Sequence, residues 1–369
     1  MAPMPEQTSP GASDPGSGDA GLPVTTDATD AATCHADVAT DSANCGRCGH
    51  DCGGGDCQSG VCQPVVVTRG IGSWVEHLAV DTTDVYFVAT GTYQGGNGSV
   101  RHCPLAGCVD SGIPILSGVE SPRYLTSNAN TLFFATGDGV VMSCAKPACT
   151  SPKVLAVEPT GRIKSLAVTA DSIFWSNSVA FDSELGGVNK CPITGCPGDT
   201  PIVVVSGQKQ PRSVVADSTF VYFATMGFPD APATVAECPV AGCGSAGPTV
   251  LSYDESDPGR LTLAGGRLLW ESGGALKFCA THGCNHQPGL VTTTVTGISG
   301  IVVDGSTLYY AVDGVIHDGS IKSCPLTGCP TAGRAPISSA ENFPSALTAG
   351  ATSLYWAKRD GELRRITKP

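Results

Sequence analysis

The chain has 369 residues, including 47 Gly, 27 Pro and 18 Cys, and a net charge of −12. Nine acids and one base lie in residues 1–63, so residues 64–369 are near neutral and carry no basic stripe of the kind a phosphate backbone needs; nucleic-acid binding is not expected. No apolar run approaches the roughly 18 residues of a membrane-spanning helix, and long helical patterns are equally hard to find.

Residues 1–33 are mostly Pro, Gly, Ser, Thr, Ala and Asp. Such a stretch buries too little apolar surface to offset the entropy of ordering it, and it reads as a disordered, flexible tether. Residues 34–63 carry Cys34, Cys45, Cys48, Cys52, Cys57 and Cys62 with few large apolar side chains, which favours a small disulfide knot. Zinc held by Cys45, Cys48, His50 and Cys52 is the alternative there. An even, regularly spaced set of cysteines points to an oxidising, extracytoplasmic compartment. Residues 1–30 show neither a basic n-region nor an apolar h-region. The start is therefore expected to lie inside or after a secretory or lipoprotein leader, with the tether and knot holding the rest off an envelope.

From Pro64 onward the sequence repeats. A Cys-x4-Cys unit occurs as CPLAGC (103–108), CAKPAC (144–149), CPITGC (191–196), CPVAGC (238–243), CATHGC (279–284) and CPLTGC (324–329). A second marker is an apolar residue followed nine positions later by the end of an aromatic-rich pair: Leu78/Phe87, Leu125/Phe134, Leu166/Trp175, Val214/Phe223, Leu261/Trp270, Ile301/Tyr310 and Leu347/Trp356. Each repeat holds four short β-type runs, here A to D; in the second they are YLTS, TLFFAT, GVVMSC and KVLAV. Repeats of about 44 residues with four strands have the size of propeller blades. A solenoid would need polar capping repeats, which are not seen. The last repeat has A, B and C but no D, whereas a D-like Pro64-Val-Val-Val-Thr-Arg69 precedes the first A. The reading is an all-β, seven-bladed β-propeller of four-stranded antiparallel blades over 64–369, closed by that N-terminal strand, which removes exposed sheet edges. Cys57 and Cys62 read both as a seventh Cys-x4-Cys and as the end of the N-terminal cluster, and the two readings are compatible.

The order of aromatic pair, variable loop, basic-apolar strand, turn and Pro-apolar strand resembles YWTD-type and related propellers, most closely in LYWAKRDGELRRIT at 354–367. The acid that follows the aromatic pair in that family is mostly a small residue here, so its inter-blade bridges and receptor-ligand role are not carried over. Asn44-Cys-Gly-Arg-Cys-Gly-His-Asp-Cys52 is similar to stigma-specific-type cysteine-rich modules, which also occur in secreted bacterial (myxobacterial-like) proteins.

A four-residue gap lets a β-type turn bring two cysteines to a Cα separation of about 5.5 Å, as a disulfide needs. Each such loop contributes about 2 kcal/mol by the chain-entropy argument. A ring would hold the pairs Cys103/Cys108, Cys144/Cys149, Cys191/Cys196, Cys238/Cys243, Cys279/Cys284 and Cys324/Cys329 apart, which disfavours shared zinc. Cys279-x2-His282-x-Cys284-x-His286 mixes ligands, yet loop filler is preferred even there. No metal or cofactor is expected, and the aromatic pairs read as core.

Alternating strand direction puts the B–C and D–A connections on one face. B–C lengths vary on that face, and variable loops on a fixed scaffold are where binding resides. The binding candidates are Tyr93 and Gln94, Phe181 and Asp182, Phe228 and Asp230, and His317. Two residues before each A marker stand Glu76, Arg123, Lys164, Arg212, Gly259, Ser299 and Ser345. Arg123, Lys164 and Arg212 could form a positive arc suited to an acidic ligand; solvated surface charge is the bland alternative. G-x-S-x-G, P-loop, H-E-x-x-H and EF-hand patterns are not found. The expectation is a monomeric, non-enzymatic extracytoplasmic recognition or structural scaffold for a protein or glycan. The alternatives are a propeller polysaccharide lyase or glycoside hydrolase with its acid and base in the central funnel, and a lectin using exposed aromatics.

Overall fold

The invariant spacing of nine is the register of a tight antiparallel hairpin. Leu78 faces Phe87, Leu125 faces Phe134, Leu166 faces Trp175, Val214 faces Phe223, Ile301 faces Tyr310 and Leu347 faces Trp356 as direct cross-strand partners. A one-residue slip would turn every apolar side chain to the wrong face, so this pairing fixes six of the blades; in blade five a break between Gly259 and Thr262 takes Leu261 out of the ladder. The computed structural model describes residues 37–72, 75–91, 97–108, 110–159, 162–178, 185–227, 231–293, 297–314, 318–330 and 335–369. The tether of residues 1–33 and Cys34 lie outside them.

Strands A to D of blade one are Leu78–Val80, Asp84–Ala89, Gly98–Pro104 and Ile113–Val119. Blades two to six repeat the meander, with A strands Arg123–Ser127, Ile163–Val168, Pro211–Ala216, Gly259–Ala264 and Ile298–Asp304. Blade seven takes Pro344–Ala349, Ser353–Lys358 and Leu363–Thr367 from the C-terminal end and Val65–Thr68 as its fourth strand. Val65 pairs with Arg365 and Val66 with Arg364, so the expected closure is formed. A strands of neighbouring blades touch around the full circle, including the last with the first. Among the described residues helix is confined to two 3-10 turns, Pro197–Asp199 and Gly244–Ala246, and none is long and apolar enough to cross a membrane.

The hydrophobic core is divided into seven clusters, one between each pair of adjacent blades. Trp175, Trp270 and Trp356 are fully buried in them, as the core reading of the aromatic pairs requires. Buried acids bridge neighbouring blades. Glu158, just past strand D of blade two, accepts hydrogen bonds from Trp175 Nε1 (2.9 Å) and Asn189 Nδ2 (2.8 Å) of blade three. Glu341, ending strand D of blade six, accepts from Trp356 Nε1 (3.0 Å) and pairs with Arg364 (3.4 Å) of blade seven. Glu255 of blade four pairs with Lys277 of blade five at 2.8 Å. Burial alone would raise the Glu255 carboxyl, but hydrogen bonds from Lys277 and Ser252 outweigh it and hold the carboxyl below its ordinary range. Each bridge thus joins an acid at the end of strand D to the next blade. Glu158→Ala would strand two buried donors and is expected to cost about 1–3 kcal/mol in urea unfolding. In a double-mutant cycle with Trp175→Phe, the two losses should be clearly less than additive.

The six body pairs, Cys103–Cys108, Cys144–Cys149, Cys191–Cys196, Cys238–Cys243, Cys279–Cys284 and Cys324–Cys329, are disulfides with Cα–Cα separations of 5.0–5.4 Å. In five of them Gly precedes the second cysteine at φ between 100° and 140°, a conformation that glycine alone adopts without strain. Cys149 corrects the expectation that one β-type turn serves every pair. Its loop has Pro147 and Ala148 where the others carry a residue and then Gly, and the Lys146–Pro147 peptide is cis. A different backbone path therefore brings Cys149 to 5.1 Å from Cys144, and both cysteines are buried with Leu125 and Phe134. Four of the glycine-containing staples also reach across an interface: the amides of Cys108, Cys196, Cys243 and Cys329 donate to Val67, Leu155, Val204 and Val291 on the preceding blade's outermost strand.

Cys57 and Cys62 do not form a seventh Cys-x4-Cys bond. Cys57 bonds Cys45 and Cys62 bonds Cys52, because the two residues sit opposite each other in a small hairpin and find partners in the preceding turns. Cys48 is disulfide-bonded as well, and no described cysteine is free. The disulfides occupy the sulfurs of both mixed-ligand zinc candidates. The described part of the cysteine-rich segment packs on blades six and seven: its four core cysteines share a cluster with Tyr309, Leu354, Trp356 and Ile366. There His50 Nε2 lies 2.9 Å from the Lys368 carbonyl and Arg365 donates to the Gly53 carbonyl.

Candidate functional site

All seven apolar markers line one central cavity of about 490 Å³. They form its apolar ring because each A strand is the innermost of its blade. A polar collar stands above that ring. The residues immediately before the markers (His77, Tyr124, Ser165, Ser213, Arg260, Gly300 and Ala346) line the same cavity, joined by Glu76, Lys164, Arg212, Asp257 and Glu271. The A strands of blades three, four, six and seven break register at the position two before the marker, skipping Lys164, Arg212, Ser299 and Ser345. Such a bulge re-aims a side chain, which is how a strand residue reaches the funnel.

Several collar groups lace the ring together. Ser165 Oγ accepts from the Val214 amide (3.2 Å) and Ser213 Oγ from the Leu261 amide (3.0 Å), each on the next blade. The Ser299 hydroxyl donates to the Pro344 carbonyl, and that of Ser345 to the Val75 carbonyl at 2.6 Å. Gly300 leaves room for Leu347, whose Cβ would lie 2.7 Å from an added Cβ. Ser299 and Ser345, placed on the loop face from sequence, therefore serve the blade interfaces.

The remaining collar groups carry charge. Lys164 and Arg212 line the funnel, while Arg123 lies at an adjoining cavity of about 470 Å³ with Glu76 and Tyr124. Burial lowers the Lys164 ammonium below its usual range, and the charges of Arg162, Arg212 and Arg123 push it the same way, so these bases stand close enough to feel one another. Acids that the sequence reading did not place there balance them. Asp257 pairs with Arg212 at 3.2 Å, both well exposed. Glu271 is raised by burial even though the Gly274 amide donates to it at 3.1 Å. Arg260, at φ 44°, is another half-buried cation that the spacing argument missed, since it sits one residue nearer the marker than the arc. Burial lowers it, while Glu76 and Asp313 oppose that shift. His77 packs edge-on against Tyr124 with ring centroids 5.3 Å apart. Burial and the Arg260 charge hold His77 down at about 3; burial and Glu76 push Tyr124 up to about 12.

Of the other binding candidates, Tyr93, Gln94, Phe181, Asp182, Phe228, Asp230 and His317 lie outside the described residues.

Neither family models nor curated proteins give a match to this chain. Solved structures do. The computationally designed Ika8 protein is 13% identical over 83% of this chain and 100% of its own, with a TM-score of 0.53. The WD40 β-propeller domain of Doa1 is 11% identical over 83% of this chain and 97% of its own, with a TM-score of 0.58. At such identities the likeness concerns fold alone. The chain is a seven-bladed, disulfide-stapled β-propeller with a charged central funnel.

Proposed function

We propose that the protein is a non-enzymatic extracytoplasmic recognition scaffold that binds acidic groups of a protein or glycan through its B–C and D–A face. The observation that carries this reading is the funnel collar, where Lys164, Arg212 and Arg260 are presented on rigid inner strands around a polar mouth. The many disulfides support an oxidising setting. The resemblance of Asn44–Cys52 to stigma-specific-type modules of secreted proteins points the same way.

The second reading is an enzyme, favoured by the presence of Glu76, His77 and Glu271 in one funnel. General acid–base catalysis works best with a pKa near the operating pH. A histidine held at about 3 is a weak base, and a tyrosine held at about 12 stays protonated at neutral pH. His77 and Tyr124 are therefore poorly suited to moving a proton, which leaves Glu271, raised by burial, as the group an enzyme would use. Titration of the full chain with oligogalacturonate and with a poly-glutamate peptide, against a neutral glucan, tests the proposal. At least one acidic probe should bind and return chemically unchanged, and Lys164→Ala with Arg260→Ala should weaken it at least tenfold. Unaltered affinity in that variant would remove the funnel from the binding site; chain cleavage would establish the enzyme instead.

A further inference from the structure

The face that carries the cysteine staples holds a repeated niche. Three blades place an Asp three residues after the A marker and a Tyr eight residues after it: Asp81/Tyr86, Asp217/Tyr222 and Asp304/Tyr309. In two of them a lysine from the following blade neutralises the acid. Lys146 lies 3.2 Å from Asp81 and 5.2 Å from the Tyr86 ring centroid, and its side chain is 5% exposed. Lys368 lies 2.5 Å from Asp304.

Between blades four and five the position equivalent to Lys146 is Thr281, which brings no ammonium to Asp217. A second carboxylate, Glu237, enters instead. Its side chain is 7% exposed, and its Oε2 has no hydrogen-bond partner among the described residues. That oxygen faces Nδ1 of the half-exposed His282 at 3.8 Å, and the imidazole packs on the Phe220 ring with centroids 4.5 Å apart. The blade-one niche also holds an acid and an imidazole, Asp84 and His102 at 2.7 Å, but beside the Lys146 ammonium; the blade-four niche has an acid with an orphan oxygen and an imidazole in place of the lysine.

We propose that this niche is a divalent transition-metal site, with Glu237 Oε2 and His282 Nδ1 as protein ligands, water completing the shell and Asp217 supplying further negative charge. Imidazole with carboxylate is a donor set that suits zinc. Bonds of about 2.0–2.2 Å to one tetrahedral ion put two ligand atoms about 3.4 Å apart, so the exposed His282 ring need move only a few tenths of an ångström.

Calorimetric titration of zinc chloride into the full, disulfide-intact chain tests the proposal. Wild type should take up one equivalent. Glu237→Gln and His282→Gln should each weaken binding at least tenfold with an unchanged circular-dichroism spectrum. Thr281→Lys, which restores the ammonium of the sister niches, should abolish uptake while raising the unfolding temperature. Absence of saturable uptake by wild type, or equal affinity in wild type and all three variants, would overturn the proposal.

Discussion

A chain shortened to begin at residue 70 is expected to lose the native disc, while one beginning at residue 37 keeps it. The shorter chain lacks Val65–Thr68, the outermost strand of blade seven, and so exposes the strand Leu363–Thr367 as an unpaired edge. It also loses the Val67 carbonyl that receives the Cys108 amide, and with it a fastening between blades seven and one. The four cysteines that cover Trp356 and Ile366 disappear as well. These losses fall on one interface of a closed ring, and the neighbouring blades cannot replace them. The unfolding temperature should drop on the order of 20 °C, or the product should aggregate during refolding. Calorimetry and size-exclusion chromatography of the two truncations provide the check.

Reduction of the intact protein should have an effect of the same order. Each body disulfide closes a loop with a sequence separation of 5, worth about 2 kcal/mol in the unfolded ensemble. Six such loops lie on separate blades, so their contributions should be nearly independent. Four staples also position amides that donate to the preceding blade, so reduction loosens interfaces in the folded state as well. Thermal unfolding with and without a thiol reductant should differ by on the order of 10–20 °C. Replacement of Cys103 and Cys108 by Ser should account for a larger share than any other pair, because that staple holds the closing strand. Replacement of Cys144 and Cys149 should cost the loop-closure share and the packing of two buried side chains on Leu125 and Phe134, but no cross-blade amide, since none of the four belongs to that pair.

The fold was legible because its signals are periodic. The nine-residue spacing is a hairpin register, the Cys-x4-Cys unit is a turn closed by sulfur, and the missing D strand at one end is supplied at the other. Spacing alone did not distinguish the Cys149 loop from its five sisters, because the number of residues fixes the span while Pro147 and Ala148 set the path. The site was legible only in part. Lys164 and Arg212 line the funnel that strand parity pointed to, and the register breaks deliver them there. Arg260 and Glu271 escaped because a marker-based offset follows one position per blade, whereas a funnel collects side chains from bulges and the ends of B strands alike. The buried glutamates escaped for a different reason. Each of the three tryptophan markers neighbours a buried Glu from the end of the preceding D strand, but that pairing joins residues of different repeats, 15 apart for Trp270 and Trp356 and 17 apart for Trp175. Ser299 and Ser345 had the right location and a different task, since a hydroxyl on a bulge can satisfy the neighbouring blade's backbone.

Native-state hydrogen exchange of the closing strand probes the ring most directly. If the termini share a sheet, the amides of 65–68 that pair with the C-terminal strand exchange as slowly as those of 363–367, and both sets open together at the free energy of global unfolding. Rapid exchange of 65–68 beside a protected 363–367 would mean that the ring is not shut by this strand.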